Sequence, residues 1–182
     1  MNQNEAPLLV ELFLNGARIK GLCRQAGRRR RLAEILNTPD DVFELESAVV
    51  TLSVGAPMHA PSLAVEKKSI IAAIPWETRE QDRQRALDAS TLGRAQTTPM
   101  PVVAFSPPYV FSGTAHMPAS YVTTRGKLHP DPSVFLHFFP VTKAHMTLAD
   151  GSQLEAPVLL VNRESVSAMG RAAEPATLRL VS

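Results

Sequence analysis

Four consecutive arginines, Arg28, Arg29, Arg30 and Arg31, with Arg24 and Lys20 just upstream, form the densest group of chemistry-bearing side chains in this 182-residue sequence. Guanidinium groups in a row can grip phosphates, and each such contact adds to an affinity that falls with salt. No aromatic side chain is interleaved with them to stack on bases. The bland reading of the run is a solvated loop and the first turn of a helix; the sharper one is a polyanion site built from Arg24, Arg28, Arg29, Arg30 and Arg31. Histidines recur eight residues apart at His129, His137 and His145, with His116 upstream. A metal needs ligands that converge, and on strands these histidines fall on separate elements, so exposed or interface positions are expected and no metal. Cys23 is the single cysteine, which excludes an intramolecular disulfide and a thiolate-rich zinc site and reads as a packing residue. Asp40, Asp41 and Asp131 precede expected strands and read as turn residues. The sequence holds no Gly-x-Ser-x-Gly, no Walker loop and no Gly-x-Gly-x-x-Gly. Neither catalysis nor a cofactor is expected.

The composition that must position these groups is that of an ordinary globular chain, 45% apolar and 20% charged. Aromatics make up only 5%, so Val, Leu, Ile, Ala and Met must build the core. Fifteen prolines favour strand ends and extended connections over long helices. A net charge of +2 is too small to demand a polyanion partner. No run approaches the ~20 apolar residues that cross a bilayer, and Met1–Glu5 is polar without a signal-like apolar stretch. A cytoplasmic protein that avoids membranes is the expectation.

Sliding the sequence against itself gives one informative offset, 96 residues. Ala48–Ala73 laid over Ala144–Met169 has ten identities in 26 positions, among them Thr51/Thr147, Leu52/Leu148, Gly55/Gly151, Ala60-Pro61/Ala156-Pro157 and Val65/Val161. That density indicates an internal duplication. Upstream the match is weaker: Phe43 falls over Phe139, and with a shift of one residue Phe13–Gly16 falls over Val110–Gly113. Two copies are too few for a solenoid, so a pseudo-twofold pair is expected.

The local pattern predicts a mainly β fold. Leu8–Leu14 reads as a strand ending at Asn15-Gly16, a hairpin signal, with Ala17–Cys23 returning. Leu32, Ile35 and Leu36 share one face of a short helix that Asn37 and Pro39 stop. Val42–Leu45 and Ala48–Val54 read as strands whose inward sets, Phe43/Leu45 and Val50/Leu52/Val54, are out of phase. A bulge or bend near Glu46-Ser47 is therefore required, and Phe139/Val141 against Met146/Leu148 repeats the break. Each copy then ends in a strand, a helical turn and a short strand. Residues 76–104 read as a linker between repeats at 1–75 and 105–182, helical over Glu77–Leu92 with Trp76 and Leu87 as anchors, then Thr- and Pro-rich, extended and protease-sensitive at Thr97–Pro101.

Leu12–Gly21, with its apolar strand, its turn ending in Gly and its second Gly, resembles the opening of an Sm-type small barrel. Val42–Ala48 is similar to that family's third strand and Lys68–Ile74 to its closing strand. The RNA-binding signatures of the family, Asp-x-x-Met-Asn before the third strand and Arg-Gly before the last, do not occur. Arg31-Leu32-Ala33-Glu34-Ile35-Leu36-Asn37, Val42-Phe43-Glu44-Leu45 and Leu160-Val161-Asn162-Arg163 resemble small bacterial β domains of unknown function. These likenesses imply two tandem Sm-like barrels or sheet repeats, each with a short helix.

Together these readings predict a non-enzymatic binding or assembly module acting through protein–protein contacts, with itself or another protein as partner. An RNA-binding module of Sm type using Arg28–Arg31 is the alternative. Repeats of this size bury little core alone, so copy-to-copy packing or oligomerisation must add to it. In Val134–Phe139 alternate side chains point to opposite faces; Phe139 aligns with core Phe43, which turns Leu136 and Phe138 to the other side. Leu136 and Phe138 are the expected interface residues, outside the barrel core.

Overall fold

Hydrophobic alternation and turn chemistry dictate the first elements. In the computed structural model, which describes residues 7–25, 31–76, 97–118 and 137–172, strands β1 (Leu8–Leu14) and β2 (Ala17–Cys23) form an antiparallel hairpin about Asn15-Gly16. Gly16 takes φ +77° there, as a two-residue turn requires. Helix α1 (Leu32–Leu36) buries Leu32, Ile35 and Leu36. Then come β3 (Val42–Leu52), β4 (Met58–Glu66), a 3-10 turn at Lys67–Ser69 and β5 (Ala72–Trp76). The second half supplies β6 (Thr97–Ser106), β7 (Tyr109–Pro118), β8 (Phe138–Thr147), β9 (Gln153–Asn162), a 3-10 turn at Arg163–Ser165 and β10 (Ala168–Arg171).

All ten strands lie in one antiparallel sheet ordered β10-β6-β7-β8-β9-β5-β1-β2-β3-β4. The chain is thus mainly β, as its sequence implies, but its sheet is not closed into barrels. The physical reason is visible at β5: its second edge, which would have to close the first half, is taken by β9 of the second half, Ala72 opposite Val161 and Ala73 opposite Leu160. The halves carry equivalent strand orders, β5-β1-β2-β3-β4 and β10-β6-β7-β8-β9. They also make equivalent backbone bonds: Ile71 N–H to Phe13 O and Ser167 N–H to Phe105 O are both 2.8 Å, as are Lys67 N–H to Asp41 O and Arg163 N–H to His137 O.

The phase break expected near Glu46-Ser47 is a bulge within one continuous strand. Ser47 has φ 49° and Lys143 φ 50°. Pairing slips between Lys20/Val49 and Leu22/Glu46 in one half, and between Ser112/His145 and Thr114/Thr142 in the other. Gly21 and Gly113 lie opposite these bulges, so Gly113 corresponds to Gly21, not to Gly16 as the upstream sequence match suggested. A Cβ on Gly113, at φ +154°, would meet Val141 Cγ1 at 2.7 Å and the Thr142 carbonyl oxygen at 2.8 Å. The corresponding approaches at Gly21 are 3.0 Å to Leu45 Cβ and 3.2 Å to Glu46 O. We expect Gly113→Ala to destabilise by about 1–3 kcal/mol through backbone strain and overlap, and Gly21→Ala by less. Urea melts of the two variants decide it; equal midpoints would show that the bulge yields freely.

The Thr/Pro-rich segment expected to be linker from residue 97 to 104 is strand β6 instead. It pairs with β7 from Thr97/Pro118 to Ser106/Tyr109, while β10 covers only Val102–Phe105. The Pro101 carbonyl accepts from Ala172 N–H at 3.0 Å, which puts the side of β6 lacking its proline N–H groups toward the end of β10. Proline is tolerated on such a half-paired edge. The expected protease-sensitive site at Thr97–Pro101 is therefore hydrogen-bonded strand. Trp76, expected to anchor a linker helix, ends β5; the helix itself, Glu77–Leu92, lies outside the described residues.

Two apolar clusters flank the sheet. One gathers Leu8, Val10, Leu12, the α1 face, Phe43 and Leu45; the other gathers Met100, Val102, Phe111, Val141, Met146 and Leu159. Each takes residues from the opposite half: Phe138 and Leu160 enter the first, while Phe13, Ile71, Ala72 and Ile74 enter the second. β5 is consequently buried on both faces, which explains the unbroken run Ile70-Ile71-Ala72-Ala73-Ile74. Among the described residues no helix is long and apolar enough to cross a membrane.

Candidate functional site

The contacts between the halves set several polar groups among apolar side chains. Asn37, which ends α1, acts as a surrogate strand: its Nδ2 donates to Phe138 O at 2.9 Å and its Oδ1 accepts from Phe138 N–H at 2.9 Å. Nδ2 also reaches Ala33 O at 2.7 Å, closing the helix terminus. Asn162 does the matching task on the other side. Its backbone N–H donates to Ile71 O at 2.9 Å and its Nδ2 to Ile70 O at 2.8 Å. Its Oδ1 receives Glu164 N–H at 3.0 Å. Tyr109 stacks edge-on against Phe13, centroids 5.9 Å apart, and its hydroxyl donates to Leu14 O at 2.8 Å. Burial pushes the Tyr109 phenol pKa up, so the hydroxyl keeps the proton it donates.

A cleft of about 400 Å³ opens beside this junction, lined among others by Asp40, Asp41, Lys67, His137 and Glu164. Lys67 closes its floor: its Nζ donates to Ile35 O at 2.8 Å, Thr38 O at 3.2 Å and Thr38 Oγ1 at 2.8 Å, a cation on the carbonyl end of α1. His137 Nδ1 lies 3.5 Å from Glu164 Oε1. Three or more metal-ligating groups converge nowhere among the described residues. His145 pairs across strands with Glu155 at 3.4 Å, and His116 Nε2 meets Thr142 Oγ1 at 2.9 Å. His116 on β7, His137 just before β8 and His145 on β8 are thus dispersed, His59 stands exposed on β4, and His129 lies outside the described residues.

The arginine cluster is only partly described. Arg24 Nε bonds Glu46 Oε2 at 2.5 Å, and this bond, with the Glu46 charge, raises the Arg24 pKa. Arg31 precedes α1, where its backbone N–H donates to the Glu34 carboxylate at 3.2 Å. Arg28, Arg29 and Arg30 lie outside the described residues, as does Leu136. Cys23 is buried in the first cluster. Phe138 faces away from Phe139, but it is 1% exposed and packs in the core of the first half. It therefore joins the halves and offers nothing to an outside partner.

Sequence reasoning missed Glu11. On β1 it faces away from Leu8, Val10 and Leu12 and is fully buried. Its Oε1 accepts from Arg18 Nε and lies 3.7 Å from Lys20 Nζ, and its Oε2 accepts from Trp76 Nε1 at 2.8 Å. The Arg18 guanidinium also sits 5.6 Å from the Phe13 ring centroid. The signal was present: the Asn-Gly turn fixes a register that sets Glu11 opposite Lys20, with Arg18 two residues along.

These arrangements hold the two halves together. Neither protein-family profiles, nor curated proteins, nor solved structures yield a match to this chain.

The sheet ends differ from its middle. Among the described residues β4 and β10 are hydrogen-bonded along one side only. Among the described residues six large apolar side chains are exposed. Val42, Leu52, Val54 and Met58 lie on or beside β3 and β4, and Phe105 on β6 beside β10; Leu9 alone is elsewhere.

Proposed function

We propose that this chain is a tandem pair of one small Sm-like β domain, working as a non-enzymatic assembly module that binds protein along its sheet ends. The carrying observation is the coincidence of one-sided strands with exposed apolar side chains at both ends of the sheet. An edge strand offers a row of N–H and C=O groups that a partner strand can complete. Exposed apolar neighbours add the burial that gives such pairing its strength. The equivalent strand orders and the ten shared identities of the halves support duplication. The test compares tagged wild type with a Val54→Lys/Met58→Lys/Phe105→Lys variant, purified from the native host and read by mass spectrometry. All three positions are exposed, so thermal melts should coincide. Wild type is expected to retain at least one protein, this chain included, that the variant loses. Identical sets from both sink the reading. Salt-sensitive retention of RNA by both proteins, abolished when Arg28–Arg31 become Ser, would put nucleic-acid binding in its place.

A further inference from the structure

The contact between β9 and β5 is a head-to-tail contact: the fourth strand of one half adds to the fifth strand of the other. The same two kinds of edge, a fourth strand (β4) and a fifth strand (β10), end the sheet. Side chains at corresponding stations are covered at the internal contact and bare at the ends. Phe13, beside Ala72, is 1% exposed, whereas Phe105, beside Ala168, is 45% exposed. Phe138 is 1% exposed, whereas Val42, at its station on β3, is 46% exposed. A buried station and its bare counterpart are what a head-to-tail unit shows when its chain of contacts is cut at both ends.

We propose that the partner of the sheet ends is a second copy of this chain, with β4 of one molecule added antiparallel to β10 of the next. This rests on the assembly reading above and names its partner. Carrying the internal register over sets Val65 opposite Ala168 and Ala64 opposite Met169, as Val161 faces Ala72 and Leu160 faces Ala73. Pro61 does not obstruct it: its counterpart Pro157 lies on β9 outside the stretch that pairs with β5. Such a contact is heterologous, so it closes into a ring or runs on as a filament according to the rotation per molecule.

The copied contact is weaker than the internal one, and the sequence says where. Val42 replaces Phe138, Ala64 replaces Leu160, and Glu66 stands where Asn162 donates to Ile70 O. A carboxylate there meets the Val166 carbonyl with no hydrogen to give. Association should therefore be reversible and concentration-dependent, and Glu66→Asn should tighten it roughly tenfold by restoring the amide donor.

Two measurements on the full chain test this. Sedimentation of wild type and Glu66→Asn should show mass growing in single-chain steps, the variant at lower concentration. Mild oxidation of an Ala64→Cys/Met169→Cys variant should give a ladder of more than two chains or one closed species. Each single cysteine variant should stay one chain, because the strand opposite it carries no cysteine at that register. Native Cys23 is buried, and matching melts show that each variant folds. Wild type and Glu66→Asn that both stay monomeric, with no ladder, overturn the proposal. So does a wild-type dimer that Ala64→Cys alone locks, since that is β4 against β4. If the chain is monomeric yet the sheet-end variant still loses a different protein from the host, self-assembly fails and the assembly reading stands. If neither occurs, both fail.

Discussion

Phe138→Ala is expected to lower the stability of the chain by about 3–5 kcal/mol, the cost of emptying a fully buried aromatic site. Typical domains hold only 5–15 kcal/mol in total. The sequence places this ring outside its own copy's core and so suggests a mutation that spares the fold. In the structure the interface it serves is the one between the halves, where the face turned away from the second core is covered by the first: Leu8, Phe43 and the α1 face surround the same cluster, so emptying the site costs the fold. The backbone of Phe138 is also held at both N–H and C=O by Asn37, so the emptied site cannot close by letting the strand drift. Phe139→Ala, on the second cluster, should cost a similar amount. In both variants the halves should unfold in one transition, since one sheet runs through them. Urea melts followed by Trp76 fluorescence, which reports the end of β5 and the second cluster it packs against, and by far-ultraviolet dichroism, which reports all strands, should coincide. Two separated transitions in either variant would show that the halves are independent domains after all.

The second large effect is expected at Glu11. Replacing both its cations, as Arg18→Met/Lys20→Met, strands a carboxylate with only the Trp76 indole for a partner and should cost about 3–5 kcal/mol. Adding Glu11→Leu to that variant should recover most of the loss, because a buried ion pair exchanged for apolar groups of similar volume is often neutral or better. Glu11→Leu alone should be milder than the double variant: Arg18 and Lys20 are 37% and 50% exposed and can turn to water. Thermal denaturation of the four proteins completes the cycle. If Glu11→Leu fails to rescue, the loss came from the Arg18 guanidinium leaving the Phe13 ring and not from the stranded charge.

Local chemistry made much of this fold legible in the sequence. Asn15-Gly16 announced its hairpin, Leu32/Ile35/Leu36 their helix, and the conflict of phase between Phe43/Leu45 and Val50/Leu52 the bulge at Ser47. Each is decided by residues a few positions apart. What could not be read was long-range. Nothing local says that β9 adds to β5, so the barrels that the Sm-type resemblance implied are one open sheet. Phe138 showed its direction but not its cover, because Asn37 lies 101 residues away. Pro99 and Pro101 made β6 resemble a linker; only the shortness of β10 makes them acceptable in a strand. The candidate site was legible least of all. The arginines drew attention by composition, whereas the ends of the sheet are defined by which strands lack a neighbour.

The burial of β5 on both faces has a consequence during synthesis. Ile70–Ile74 leaves the ribosome with the first half complete, but the strand and side chains that cover it arrive only when the chain reaches Asn162. At 5–20 residues per second that interval is roughly 4–18 s. For that time the nascent chain shows a naked apolar strand with an open hydrogen-bonding edge, able to pair with a neighbouring nascent chain on the same message. The first half of another molecule cannot satisfy it fully, because β4 brings Glu66 where β9 brings Asn162. The same substitution that weakens assembly of finished molecules would then discourage premature pairing of unfinished ones, leaving β5 for its own second half.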